Sequence, residues 1–229
     1  MPGVTDLASS VLARLDERLP AAGDPVRAAG MASYMRDQFP FVGVPAPALR
    51  SVERAAFRGL PAPTADDLRA IALACWEREE REYQYVACDY LRSHLVAADP
   101  SLLPTLEFLI TTKSWWDTVD ALATRVAGGL VKRHPSLVSE MDSWSRSPNV
   151  WLIRTAILHQ LHYGEQTDAS RLFGYCLRQA AHRDFFVRKA IGWALRHYAR
   201  TDPAAVRSFV LQNRSRLSPL SVKEATKHL

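Results

Sequence analysis

Ser114-Trp115-Trp116-Asp117-Thr118-Val119-Asp120 combines aromatic faces with carboxylates at what reads as a helix start. Ser114, followed three residues later by Asp117, has the form of an N-cap with a capping-box acid, which starts the helix at Trp115 and accounts for Asp117 through the backbone. Trp116 and Asp120 are four apart, so they share one helical face, and no cap needs Asp120. Arg154 and Trp193 lie in later segments of similar character. If equivalent helices line one surface, two indoles, a carboxylate and a basic neighbour describe a site for a cation developing beside a phosphate. Each also has a plainer explanation: core for the tryptophans, solvent for the arginine, a nearby base for the aspartate.

The elements that must position these residues read as amphipathic helices. They are separated by short breaks at Asp24-Pro25, Pro45–Pro47, Pro61–Pro63, Asp99-Pro100, His134-Pro135, Ser147-Pro148, Asp202-Pro203 and Ser218-Pro219. Proline suits the first helical turn and disrupts the interior, so these breaks mark helix starts. No stretch alternates with period two for long enough to make a strand. The expected fold is all-α. Cys75, Cys88 and Cys176 are widely spaced within apolar helical patterns and read as core thiols, and His159 and His162 lack a supporting ligand nearby.

Trp151–Leu158 and Phe185–Gly192 align 34 positions apart with Arg154 and Arg188 in register. Diverged copies begin at Tyr83 and Trp115, and the steps between Ala87, Val119, Ala156 and Ala190 are 32, 37 and 34. Recurrence at this spacing marks stacked helix pairs whose cores are completed by their neighbours, so an α-solenoid is expected, with residues 1–229 as a single domain.

Residues 1–110 hold 11 Lys+Arg against 15 Asp+Glu, whereas residues 111–229 hold 18 against 9. That surplus suits a polyanion such as nucleic acid, although solvated helix faces account for it equally well. No apolar run approaches the roughly 18 residues of a membrane helix, and Met1–Asp6 lacks the regions of a secretory signal, so a cytoplasmic location is expected.

Several segments together carry a family resemblance: Lys113–Asp120, Trp151–Leu161, Phe185–Arg196, Leu217–Ser221, Tyr34–Phe41 and Glu82–Tyr85. In these the chain resembles the AlkD family of DNA alkylation repair glycosylases, from about residue 26 onward. The resemblance implies a HEAT-like α-solenoid with a basic concave groove for duplex DNA and hydrolysis of the N-glycosidic bond of N3- or N7-alkylated purines, such as 3-methyladenine and 7-methylguanine. It makes Asp120 the catalytic carboxylate, Trp116 and Trp193 aromatic walls around the lesion's sugar, and Arg154 a phosphate-side contact. It places Tyr34, Phe185 and Phe186 near the DNA. Lys113, Arg188, Lys189 and Arg196 fall within the matching motifs as basic DNA-binding candidates. Val44-Pro45-Ala46-Pro47 departs from the family pattern and puts phosphate contacts from that turn in doubt, while Arg50 remains available. Neither metal nor cofactor is implied, and the enzyme is expected to act as a monomer. Two other readings remain open: a DNA-binding repeat protein without catalysis, and a protein-interaction scaffold.

Overall fold

Helices begin where a capping oxygen precedes an apolar run. In the computed structural model, which describes residues 5–229, Thr5 accepts from the Ala8 amide to open α1 (Asp6–Ala21). Asp24 accepts from the Val26 and Arg27 amides to open α2 (Pro25–Tyr34). After Pro45 comes α3 (Ala46–Phe57), then α4 (Ala65–Glu77), which Thr64 and Asp67 close with a reciprocal capping box, and α5 (Arg81–Ser93). The chain continues through α6 (Leu103–Thr111), α7 (Trp116–Ala121), α8 (Gly128–Arg133) and α9 (Val138–Trp144). Asn149, Asp168, Asp184, Asp202 and Ser218 then cap α10 (Val150–Leu158), α11 (Ala169–Arg178), α12 (Phe185–Tyr198), α13 (Pro203–Gln212) and α14 (Pro219–Ala225). Asp24-Pro25, Asp202-Pro203 and Ser218-Pro219 thus act as N-cap and first helical residue, whereas Ser147-Pro148 precedes the Asn149 cap. No strand forms among the described residues, as an all-α fold requires. No helix among them is long and apolar enough to cross a membrane, and Met1–Val4, part of the segment read for a secretory signal, lie outside the described residues.

The chain divides into two compact units, the first ending at Thr105 and the second beginning at Leu106. In the first, α1 packs on α3 and α4, and α4 on α5, around the fully buried Leu15, Leu19, Leu68, Ile71 and Leu91. Its connection before α3 is held from within: the buried Glu82 carboxylate accepts the amides of Val42, Gly43 and Val44 at 2.9, 2.8 and 3.0 Å. Gly43 is required there, because its φ is 93° and a Cβ would fall 2.1 Å from the Asp24 carbonyl oxygen.

In the second unit the repeat spacing becomes physical contact. Hydrogen bonds recur between residues about one repeat apart: Arg154 to Asp120, Tyr175 to Asp142, Gln179 to Ser145, and Ser221 to Arg188. Helix α10 packs on α12, and α12 on α14. A Cβ at Gly192 would meet the Glu224 Cβ at 2.4 Å, so glycine sets the closeness of the α12–α14 crossing. Cys75, Cys88 and Cys176 are buried core thiols. His159 is buried with Nδ1 on the Ala156 carbonyl, and burial pushes its pKa down to about 4.

Candidate active site

The tryptophan pair separates at the entry to α7. Helix α7 begins at Trp116, whereas Trp115 stays extended (φ −156°, ψ 161°) and provides no side-chain cap. The capping box expected at Ser114 does not form. Ser114 lies one turn beyond a free carbonyl of α6 and donates to Ile110 O at 2.7 Å instead. The reversal between the helices falls on Lys113, at φ 48°, a left-handed conformation that costs a side-chain-bearing residue about 1–2 kcal/mol. Trp115 consequently turns into an aromatic cluster, with ring centroids 6.1 Å from Trp151 and 5.2 Å from Phe186. Trp116 heads the helix that carries Asp120 one turn further on.

Directly after Asp120 and Ala121 the helix widens into a π segment, Leu122–Ala127, before resuming as α8. Two side chains satisfy carbonyls along this run: Thr124 donates to Asp120 O at 2.8 Å and the Tyr163 hydroxyl donates to Gly128 O at 2.7 Å. Gly128 is needed where α10 ends against this run, since a Cβ would lie 2.1 Å from His159 O. A single wide turn inside a helix is an uncommon, strained feature that often accompanies function. The sequence offers one hint of it, the Gly128-Gly129 pair inside an apolar helical run.

Asp120 has a partner. Arg154 on α10 grips it with both arms of its guanidinium, Nε to Oδ1 at 2.6 Å and Nη2 to Oδ2 at 2.8 Å, while Nη1 donates to Phe186 O at 2.6 Å. The phosphate-side role implied for Arg154 does not fit this geometry. Its side chain is only 5% exposed and all three nitrogens are engaged, two of them by Asp120. The Asp120 side chain keeps 19% exposure. Burial pushes its carboxyl above the usual carboxylate range, against the hydrogen bonds and charge of Arg154, which pull it down. The Arg154 guanidinium carbon lies 5.9 Å from the centroids of both Phe186 and Trp193. Asp120, Arg154, Phe186 and Trp193 therefore come from three helices, α7, α10 and α12, to one place, with Trp116 one turn before Asp120 on α7. Arg154→Met is expected to raise the Asp120 carboxyl further. Any activity that needs the carboxylate ionised then loses more at pH 6 than at pH 8, which a pH–rate profile reads directly.

The remaining candidates divide by location. Phe185, at the first position of α12, is 56% exposed and stacks edge-on to Phe186. Arg188 donates from Nε to His182 O. Lys189 and Arg196 pair with Glu224 at 2.8 and 2.6 Å, so their charge is shared with α14 rather than wholly offered outward. Tyr34 and Arg50 belong to the first unit. Tyr34 is 72% exposed at the end of α2, in a largely apolar recess with Met31, Phe41 and Tyr85, and Arg50 lies on α3.

Two known structures are similar to this chain. A predicted DNA alkylation repair enzyme from Enterococcus faecalis superposes with a TM-score of 0.82 at 30% identity, over 90% of this chain and 96% of that one. The protein smu.31 from Streptococcus mutans UA159 shares the fold, with a TM-score of 0.62 at 17% identity over 79% of this chain and 92% of that one. No curated protein matches the sequence significantly. The sequence matches the family described as DNA alkylation repair enzyme over residues 15–229, in agreement with the resemblance read from the tryptophan and arginine motifs, and the chain belongs to that family.

Proposed function

We propose that this DNA repair protein is an alkylpurine DNA glycosylase that hydrolyses the N-glycosidic bond of cationic N3- and N7-alkylated purines in duplex DNA, acting as a monomer. The observation that carries this reading is the Asp120 carboxylate, one turn from Trp116 and held by an Arg154 fork whose guanidinium carbon lies 5.9 Å from the Trp193 ring.

Alkylation at N3 or N7 makes the purine a cation, so it can leave as a neutral base without a proton from a general acid. As the bond to C1′ lengthens, positive charge moves to the sugar. A fixed carboxylate stabilises that charge most where water is partly excluded, and the partial burial of Asp120 fits this. Arg154 is a positioning residue: it fixes both carboxylate oxygens and opposes the effect of burial on the acid. The indole faces of Trp116 and Trp193 add about 1–2 kcal/mol each toward the same cation when desolvated. Water then adds to C1′, with Asp120 available to orient it and to accept its proton. Lys113, kept in an unfavourable backbone conformation where glycine would be relaxed, supports a role for its side chain at the DNA.

The test is selectivity. The protein should release 7-methylguanine and 3-methyladenine from duplex DNA and leave neutral lesions such as hypoxanthine in place. Excision of hypoxanthine at a comparable rate would mean that protonation of the leaving base is being supplied, and the single-carboxylate mechanism would be wrong.

A further inference from the structure

The first unit contains a basic cleft that the excision chemistry does not use. It encloses about 530 Å³ between α3 and the C-terminal end of α5, with Arg50, Arg54 and Arg58 on one side and Arg92 and His94 on the other. Arg92 is tied to Asp89 through Nε and Nη2 at 3.2 and 3.0 Å, and Arg54 donates to the Ser51 hydroxyl at 2.8 Å. Among the described residues no carboxylate forms a salt bridge with Arg50, Arg54 or Arg58. In the same wall stands Glu53, 8% exposed, with Oε1 buried and without a hydrogen-bond partner.

A buried carboxyl oxygen without a partner is expensive, and helices seldom keep one without use. The charged and titratable groups around Glu53 are Asp89 and Arg92 on α5, His94 just after it, Arg50 and Arg54 on its own helix with Arg58 at its end, and the buried Cys75 thiol on α4. From α1, Arg14 is committed to the Ala56 and Arg58 carbonyls. The arginine surplus excludes a cation as the natural occupant. A tetrahedral oxyanion suits the cleft better, because its several oxygens can meet guanidinium forks and a carboxyl O–H together.

We propose that this cleft binds a phosphate group, with Arg50 and Arg54 taking its charge and the protonated Glu53 carboxyl donating a hydrogen bond to one of its oxygens. Burial, with Asp89 adding to it, pushes the Glu53 carboxyl up to about 7, which makes that donor available at neutral pH. The phosphate can come from a free nucleotide or from a DNA backbone, since both present the same oxyanion. The proposal does not rest on base excision, and its failure would leave the glycosylase reading untouched.

Sulfate is the probe, because its charge does not change between pH 6 and pH 8. Calorimetric titration with sodium sulfate at fixed ionic strength should show binding about ten-fold weaker at pH 8 than at pH 6, as a donor titrating near 7 goes from mostly protonated to mostly ionised. Glu53→Gln should flatten that dependence, and Arg54→Gln should weaken sulfate at least ten-fold, with Arg50→Gln as the substitute if Arg54→Gln does not fold. Two further arms separate the sources. Displacement of sulfate by 2′-deoxyadenosine 5′-monophosphate marks a free ligand, and weaker binding of undamaged duplex by Arg54→Gln marks a backbone phosphate. Either upholds the site. Failure of both, sulfate affinity indifferent to Arg54→Gln, or a full pH dependence surviving in Glu53→Gln overturns it.

Discussion

Asp120→Asn should bind lesion-containing duplex at least as well as the native protein while releasing 7-methylguanine on the order of 10²–10³ times more slowly, the usual effect of removing one preorganised electrostatic contact. The upper part of that range is expected because of Arg154. An asparagine oxygen can accept from one arm of the guanidinium, but its amide group then faces the other arm, donor against donor. A cation only 5% exposed is left without its counter-charge, beside a sugar that is itself becoming positive. The same change makes the site more positive, which favours a polyanion, so affinity and rate should move in opposite directions. The double variant Asp120→Asn with Arg154→Met removes the stranded charge and should be no slower than Asp120→Asn alone. Undiminished release by Asp120→Asn in a single-turnover assay would remove this acid from the mechanism.

The largest expected effect on stability lies away from the site, at Glu82. Glu82→Ala leaves the amides of Val42, Gly43 and Val44 without their acceptor inside the first unit. Deleting one partner of a buried, charge-assisted network costs about 3–5 kcal/mol, which for a chain of this size corresponds to a fall in Tm of roughly 10 °C. Glu82→Gln should lose less, because one oxygen can still serve Gly43 and Val44 while its amide group meets the Val42 N–H unfavourably. Thermal melts of the two variants measure the difference. Equal melting temperatures would show that the connection before α3 holds without this carboxylate.

These two acids also mark how far the sequence could be read. Asp120 could be singled out because its spacing from Trp116 places both on one helical face and no cap explains it. Glu82 appeared only inside a matching motif, because its partners lie about 40 residues earlier in an irregular segment with no periodicity. The capping box at Ser114 was sound local chemistry, but a nearer acceptor, the Ile110 carbonyl, won the hydroxyl once Lys113 turned the chain back. Trp115 and Trp151 looked like ordinary motif aromatics until their rings met around Phe186. The π segment left only a weak signature, the Gly128-Gly129 pair, because the carbonyl just beyond it is satisfied by Tyr163, 35 positions away.

What the sequence alone determined is whatever depends on neighbours within a few residues or on a fixed repeat. Capping oxygens and prolines set the helix starts, and within the second unit the 37- and 34-residue steps from Val119 to Ala156 to Ala190 set which helices lie side by side. Only the tertiary structure decided which charges pair. It joined Arg154 to Asp120 and shared Lys189 and Arg196 with Glu224. Caps and periodicity are settled over one or two turns of helix. The strength of an ion pair instead depends on how closely two helices approach and how much water is excluded between them, as Gly192 shows on the α12–α14 crossing.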